Sequence, residues 1–396
     1  MKDDFGMLTL ADGEQEMLLE TARRVGERYG LDYWREIDSH GAFPAEYWQA
    51  ICDAGLCGVA LPEDAGGSAL GMSELAIVVE ELAASGAGST IGQLFMLNPI
   101  FGGISISRFG TEQMKRDLLP KIISGQLQCC MALTEPDAGS NTLEMRSFAR
   151  ETANGWRLRG QKIWISAVPQ SQKMLAVART RRPEEAAARS NGISMFLIDT
   201  DRAGIHHEAI QKVGTRCVPA STVAFDDVEI GSDEVVGTLH DGWRELLDVL
   251  NTERIVTTAG LIGTVRLAVR LAVDYTNERK LFAGKPISSY QGIQFPLAEA
   301  YSQAQCARAL NLEAATKFDQ DRPYGSEANM AKLIAAQAAS KATECAMQAM
   351  GGMGYSTEMH VERLWRDQRL FRFAPVSEEM ILNYVAVHDL GMARGY

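Results

Sequence analysis

Two short segments carry residues whose types and spacing could do chemistry. Met131-Ala-Leu-Thr-Glu-Pro-Asp-Ala-Gly-Ser-Asn141 runs from an apolar stretch into a polar turn, and Lys162-Ile-Trp-Ile-Ser166 follows soon after. The first can lay backbone N–H groups and the Thr134 and Ser140 hydroxyls along a flat polar ligand. The second offers an aromatic plane, Trp164, with a hydroxyl two residues on at Ser166. In a strand those two side chains share a face, because side-chain direction repeats every second residue. Such a pair suits covering a heteroaromatic ring and bonding one of its nitrogens.

The elements that must position these groups are legible as a helical region, a strand region and a second helical region. Acidic and apolar residues alternate at a three-to-four spacing over 14–29, and 44–54 repeats the pattern after a proline. Residues 72–85 make a third apolar stripe, and Thr111 opens a short helix ending near Pro120. From Gln128 to about Gly237 the period falls toward two. Strand candidates there are 156–159, 162–165, 174–178, 193–198 and 221–225. Such a series closes into a small barrel or sandwich. Beyond Asp241 helices return, with a long stripe over 255–279 and further helices over 288–318, 326–350 and 376–388. That pattern predicts an up-down four-helix bundle.

Composition narrows the function classes. A net charge of −12 argues against nucleic acid, which rewards clustered Lys and Arg. No apolar run approaches the roughly 20 residues of a membrane span, and Met1-Lys-Asp-Asp-Phe5 lacks the layout of a signal peptide. Seven cysteines suggest buried thiols in a reducing compartment, and the cytoplasm is the expected address. No metal site is expected, since neither Cys129-Cys130 nor His206-His207 has ligand spacing. Gly86-Ala-Gly-Ser-Thr-Ile-Gly92 looks like a dinucleotide fingerprint but follows a helix rather than a strand, so a loop between helices is expected.

Together the Met131 and Trp164 segments resemble the flavin-binding signature of the acyl-CoA dehydrogenase family. The C-terminal half repeats the resemblance in Arg279-Lys-Leu-Phe282, Tyr290-Gln291 and Gln348-Ala-Met-Gly351-Gly352, with Arg363 and Arg366-Asp367 beyond. One extra residue sits between Phe282 and Pro286 relative to the family motif. The resemblance implies an α+β, mostly α fold. Its parts would be an N-terminal helical domain (1–127), a central small β-barrel (128–238) and a C-terminal four-helix bundle (239–396).

The resemblance also implies site roles. Met131, Leu133 and Thr134 would face the pyrimidine side of the isoalloxazine of FAD, Ser140 the pyrophosphate, and Trp164 and Ser166 the ring near N5. Arg279, Phe282, Gln291, Gln348, Gly351 and Gly352 would hold the pyrophosphate and adenine end of a neighbouring subunit's FAD, and Ser377 and Glu379 continue that contact. Arginine pairs with phosphate, and glycine lets backbone approach a ligand closely. A homo-oligomer follows, a dimer at least and a tetramer by family habit.

The implied reaction is α,β-oxidation of an acyl-CoA thioester, with hydride passing to flavin N5 and electrons to an electron-transfer flavoprotein. It needs a carboxylate beside the α-carbon. The family's commonest position for that base is occupied here by Pro375 in Ala374-Pro375-Val376-Ser377-Glu378, which has neither carboxylate nor N–H. Glu378 would come near only by a one-residue slip. Other members carry the base immediately before an arginine on the long bundle helix, which here is Glu253 beside Arg254. Asn251, Arg254 and Ser140 would line the acyl-thioester pocket. The segment around Pro375 is similar to crotonobetainyl-CoA reductase-like members. A reductive direction, desulfinase-like elimination and a non-catalytic partner subunit are therefore the alternatives.

Overall fold

The structure is a computed structural model and describes residues 13–395. Met1 to Phe5, whose layout bears on a targeting signal, lie outside the described residues. The N-terminal region holds α1 (Gly13–Arg28), α2 (Leu31–His40), α3 (Ala45–Asp53), α4 (Met72–Leu82), α5 (Thr90–Phe95), α6 (Ser105–Phe109) and α7 (Glu112–Ile123). The Thr111 side chain caps α7 by accepting from the Met114 N–H, and the helix runs three residues past Pro120.

The glycine-rich segment is not a loop. A π-helical turn over Ala83–Ala87 leads α4 toward α5, kinked where Gly86 and Gly88 take φ values of 149° and 62°. A Cβ on Gly92 would lie 3.1 Å from the Val256 carbonyl oxygen, and one on Gly260 would lie 3.2 Å from Gly92 Cα. These glycines serve close helix packing rather than a phosphate.

The central region is a mixed eight-stranded sheet of β1 (Cys129–Ala132), β2 (Phe148–Thr152), β3 (Gly155–Ser166), β4 (Lys173–Arg179), β5 (Ile193–Asp199), β6 (Ile205–Ile210), β7 (Ala220–Ile230) and β8 (Val235–Val236). The ladder order is β6-β7-β3-β2-β4-β5-β8, with β1 parallel to β4. The two strand candidates at 156–159 and 162–165 are one strand, β3. It pairs antiparallel with β7 through irregularities at Leu158/Gly160 and Lys162/Ile165. β4 and β5 are buried along nearly their whole length, so both faces of the sheet are covered there.

The C-terminal region contains α8 (Trp243–Glu278), α9 (Gln291–Asp319), α10 (Gly325–Met350), α11 (Val361–Gln368) and α12 (Glu378–Tyr384). α8 begins twelve residues before the expected 255, because Arg244, Glu245, Asp248, Glu253 and Arg254 interrupt the apolar stripe in its first turns. The fourth bundle helix is only the seven residues of α12 plus a π-helical turn over Val385–Asp389. α4 packs on α8 and α9 from the N-terminal region. By length and composition α8 could cross a membrane, contrary to the expectation of no such stretch, but 83% of its apolar window is buried inside the fold. It is the core helix of the bundle.

Polar contacts distant in sequence lock the three regions together. Asp319 at the end of α9 accepts from the Met72 and Ser73 N–H groups at the start of α4 (2.6 and 3.1 Å). On α11, Arg366 donates to Asp38 (2.6 Å) and Asp367 accepts from the Thr215 N–H (2.5 Å).

Candidate active site

Where β1 ends, the chain turns into the segment 133–141 and is fastened to β3. Lys162 is fully buried, and its Nζ donates to the Leu133 carbonyl and to Glu135 Oε1, both at 2.9 Å. The Ile163 N–H donates to the Thr134 carbonyl (2.9 Å). Glu135 also accepts from the N–H groups of Arg146 (2.6 Å) and Ser147 (2.9 Å). Burial alone would raise the Glu135 carboxyl, but Lys162 and these donors hold it below the usual carboxylate range. Glu135 and Ala138 exchange N–H···O bonds of 3.2 Å across a tight turn. Met131 and Thr134 are left half-buried, Leu133 buried and Ser140 exposed.

The Trp164 backbone has φ 62°, at the point where β3 carries one extra residue against β7. Left-handed backbone is rare for a bulky residue, and such strain concentrates at functional sites. The indole is 55% exposed, Ile165 beside it is buried, and Ser166 is half-buried. Simple alternation thus holds only across Ile165; the bulge, not the strand period, aims the indole.

Glu253 lies on α8, 4% exposed, and its Oε2 has no hydrogen-bond partner among the described residues. Burial pushes its carboxyl up to about 8, against the opposing pull of Arg254 and Lys332. The Arg254 guanidinium donates to Asn251 Oδ1. Lys332 on α10 is fully buried, donates to the Val376 carbonyl (2.7 Å), and is pushed down to about 7 by burial although Glu378 and Glu253 favour its charge. Glu378 instead pairs with Arg372 (Nη2–Oε2 2.7 Å), so its carboxylate is engaged. Pro375 sits in the turn whose next carbonyl Lys332 holds.

Beside this cluster opens a cavity of about 430 Å³, lined by Arg108, Arg244, Asn251, Arg322, Tyr324 and Tyr384 among others. Such a volume suits a small-molecule site. Arg108 is paired with Asp248 (3.0 Å) and Asp321 (3.3 Å), and Arg244 is exposed.

The remaining expected contacts lie on the surface. Arg279, Phe282, Gln291, Gln348, Gly351, Gly352 and Glu379 are exposed, and Ser377 caps α12 by accepting from the Met380 N–H. Gly351 takes φ 59° where α10 ends, and a Cβ on Gly351 or Gly352 would meet nothing within 4 Å. Leu281, Phe282, Tyr290, Phe295, Met353 and Tyr355 are large exposed apolar residues. Among the described residues no cluster of three or more His, Cys, Asp or Glu could hold a metal.

Sequence reasoning overlooked Glu135, Lys162 and Lys332. Lys162 was visible as a charge in an apolar strand candidate, and Lys332 as a lone cation on an alanine-rich helix face. Neither pattern reveals the partner.

Comparison with known proteins agrees with this architecture along the whole chain. Residues 12–126, 130–228 and 240–388 match the N-terminal, middle and C-terminal domains of acyl-CoA dehydrogenase. The acyl-CoA dehydrogenase FadE12 of Mycobacterium tuberculosis is 36% identical over 385 residues, 97% of either chain. Glutaryl-CoA dehydrogenase of Desulfococcus multivorans is 31% identical over 387 residues, covering 96% of this chain and 97% of that one. A solved glutaryl-coenzyme A dehydrogenase in complex with glutaryl-CoA superposes with a TM-score of 0.92 at 29% identity, over 98% of each chain. Helical, sheet and helical regions in that order, matched domain by domain, leave one assignment: the chain belongs to the acyl-CoA dehydrogenase family, FAD-dependent oxidoreductases acting on CH–CH bonds.

Proposed function

We propose that the chain oxidises the α,β-bond of an acyl-CoA thioester with Glu253 as the base, and passes the electrons to an electron-transfer flavoprotein. The observation that carries this is a buried carboxyl with no hydrogen-bond partner among the described residues, while Pro375 stands at the usual base position and Glu378 is paired with Arg372. A base needs a pKa near working pH, and burial brings Glu253 to about 8. Arg254 is tied to Asn251, which lines the cavity, and the cavity's arginines suit the phosphates of an acyl carrier.

The residues present fit FAD. An exposed indole is held rigidly by a bulge beside a hydroxyl, next to a turn fastened by a buried ion pair, and Gly351 and Gly352 leave open space for close backbone approach. Met131, Leu133, Thr134, Ser140, Trp164 and Ser166 would hold the ring and its adjoining phosphates, with Ser140 also near substrate. Arg279, Phe282, Gln291, Gln348, Gly351, Gly352, Ser377 and Glu379 would hold a neighbouring subunit's cofactor. When bound, FAD supplies the acceptor for the hydride leaving the β-carbon. Glu253 takes the α-proton, and its burial, at 4% exposure, keeps water from it.

The exposed apolar face around Phe282 supports a homo-oligomer, in which 239–396 would supply the contacts between subunits. Residues 1–127 would close the acyl pocket, and 128–238 would carry the ring. Anaerobic mixing with a panel of acyl-CoA thioesters tests the proposal. Bleaching of the flavin that Glu253→Gln abolishes supports it, and bleaching that survives the substitution removes Glu253 from the role.

A further inference from the structure

The cavity touches α8 at Arg244, Leu247, Asp248 and Asn251, a stripe spaced by three and four residues. Glu253 lies just beyond that stripe on the same helix. A carrier seated in the cavity therefore passes its acyl group inward, past Glu253 and toward the next turns of α8. What those turns pack against decides how far the group can reach.

They are closed on every side. Each residue from Ile255 to Val265 is buried, and a helix buried all round is walled by its own fold on each face. A Cβ on Gly92 would lie 3.1 Å from the Val256 carbonyl oxygen and 3.3 Å from Thr257 Cα, so α5 and α8 meet there backbone to backbone. From α9, Asn311 Nδ2 donates to the Ile255 carbonyl (3.2 Å). Two turns beyond, a Cβ on Gly263 would lie 2.4 Å from Ala83 Cβ.

The facing elements are equally full. α5 and the π-helical stretch Met96–Ile104 after it are buried at every position. A tunnel wide enough for a methylene chain would leave exposed wall along it. Ile91, Phe95 and Ile100 on one side, and Val256, Leu261 and Ile262 on the other, are at 0% exposure. The space past Glu253 is taken up by the chain itself, at the density of an ordinary interior.

We infer that the protein takes short acyl groups, and that Gly92 and Thr257 form the end wall that sets the limit. Thr257 is four residues from Glu253, about 6 Å along the helix, which is room for roughly four extended carbon–carbon bonds beyond the α-carbon. This rests on the proposed acyl-thioester site and names the substrate class it takes. The wall includes backbone, so it does not yield to a side-chain rotation; a longer chain has to part α5 from α8. In a closed apolar pocket one methylene changes affinity by about 10–200-fold.

The test uses the FAD-loaded protein and non-reactive S-alkyl-CoA thioethers of butyl, hexyl, octyl and dodecyl length, so that it reads binding without turnover. Binding is followed by the flavin spectrum. The butyl thioether should bind at least about ten-fold more tightly than the octyl one. Thr257→Ala, which trims the side chain one turn beyond Glu253, should narrow that ratio. Val265→Ala, deeper in α8, should leave it as it is. An octyl or dodecyl thioether that binds as tightly as the butyl one overturns the inference. So does a ratio that Thr257→Ala leaves unchanged, or one that Val265→Ala narrows equally. In those cases the acyl-thioester reading stands, because binding itself has been seen. If no thioether perturbs the flavin, that reading falls and takes this inference with it.

Discussion

Lys162 Nζ lies 2.9 Å from Glu135 Oε1, and the lysine side chain is entirely shut off from solvent. This pair joins the turn that begins at Leu133 to the strand that presents Trp164. It acts beside the Ile163 N–H bond to the Thr134 carbonyl, which joins the same two segments.

Lys162→Met should destabilise the protein by about 3–5 kcal/mol, since removing one partner strands a buried carboxylate. Its remaining donors, the N–H groups of Arg146 and Ser147, soften the loss. FAD retention through gel filtration should drop in parallel. The double variant Lys162→Met with Glu135→Gln should recover part of the stability in denaturant titrations. Equal stability of the single variant and the parent would show that the pair contributes nothing.

Glu253 sets a pH dependence whose sign is fixed by burial. With its carboxyl raised to about 8, the base is protonated below that pH in the free protein, so kcat/KM for substrate bleaching should climb as pH approaches 8. Glu253→Gln should lower the bleaching rate by about 10²–10⁴-fold. Stability runs the other way. Between the ordinary glutamate range and about 8 the native state binds a proton that the unfolded chain does not, so this group's contribution is present at low pH and lost as pH rises through 8. The Glu253→Gln protein should therefore gain on the parent in urea melts as pH rises from 5 to 8. A constant difference would contradict the burial effect.

Lys332 bears on the same limb. Burial pushes Lys332 down to about 7, so it is mostly neutral where Glu253 ionises near 8; Lys332→Arg, which stays charged, should shift the rising limb of the bleaching profile to lower pH, and Lys332→Met should move it little. A structural role limited to holding the Val376 carbonyl would lower stability and leave the limb in place.

Phe282 is 82% exposed within a patch that includes Leu281, Tyr290 and Phe295. Phe282→Asp should reduce both particle size by light scattering and FAD bound per chain, because the proposed cofactor site spans two subunits. Loss of cofactor at unchanged size would separate the two roles and refute the shared-site reading.

The close approach of α4 to α8 is testable without touching the chemistry. A Cβ on Gly263 would lie 2.4 Å from both Ala83 Cβ and the Glu80 carbonyl oxygen. Gly263→Ala should cost about 1–3 kcal/mol through overpacking, measured by thermal or denaturant unfolding. Full stability in this variant would mean that the helices can separate freely.

The order of helical, sheet and helical regions was readable from residue periodicity, because apolar side chains must repeat at 3.6 or 2 to face one core. The Met131 and Trp164 segments stood out as candidates in the same way, since they are contiguous and their residue types are distinctive. Only the folded chain decides what depends on distant partners. The bulge at Trp164 exists because β3 carries an extra residue against β7, a fact of pairing that no single segment contains. Gly86–Gly92 looked like a loop until α8 supplied the backbone against which small residues are needed. Glu253 stood out in the sequence by its place before Arg254, but its raised pKa came only from the packing of α8 against α10, because desolvation belongs to the surroundings and not to the residue.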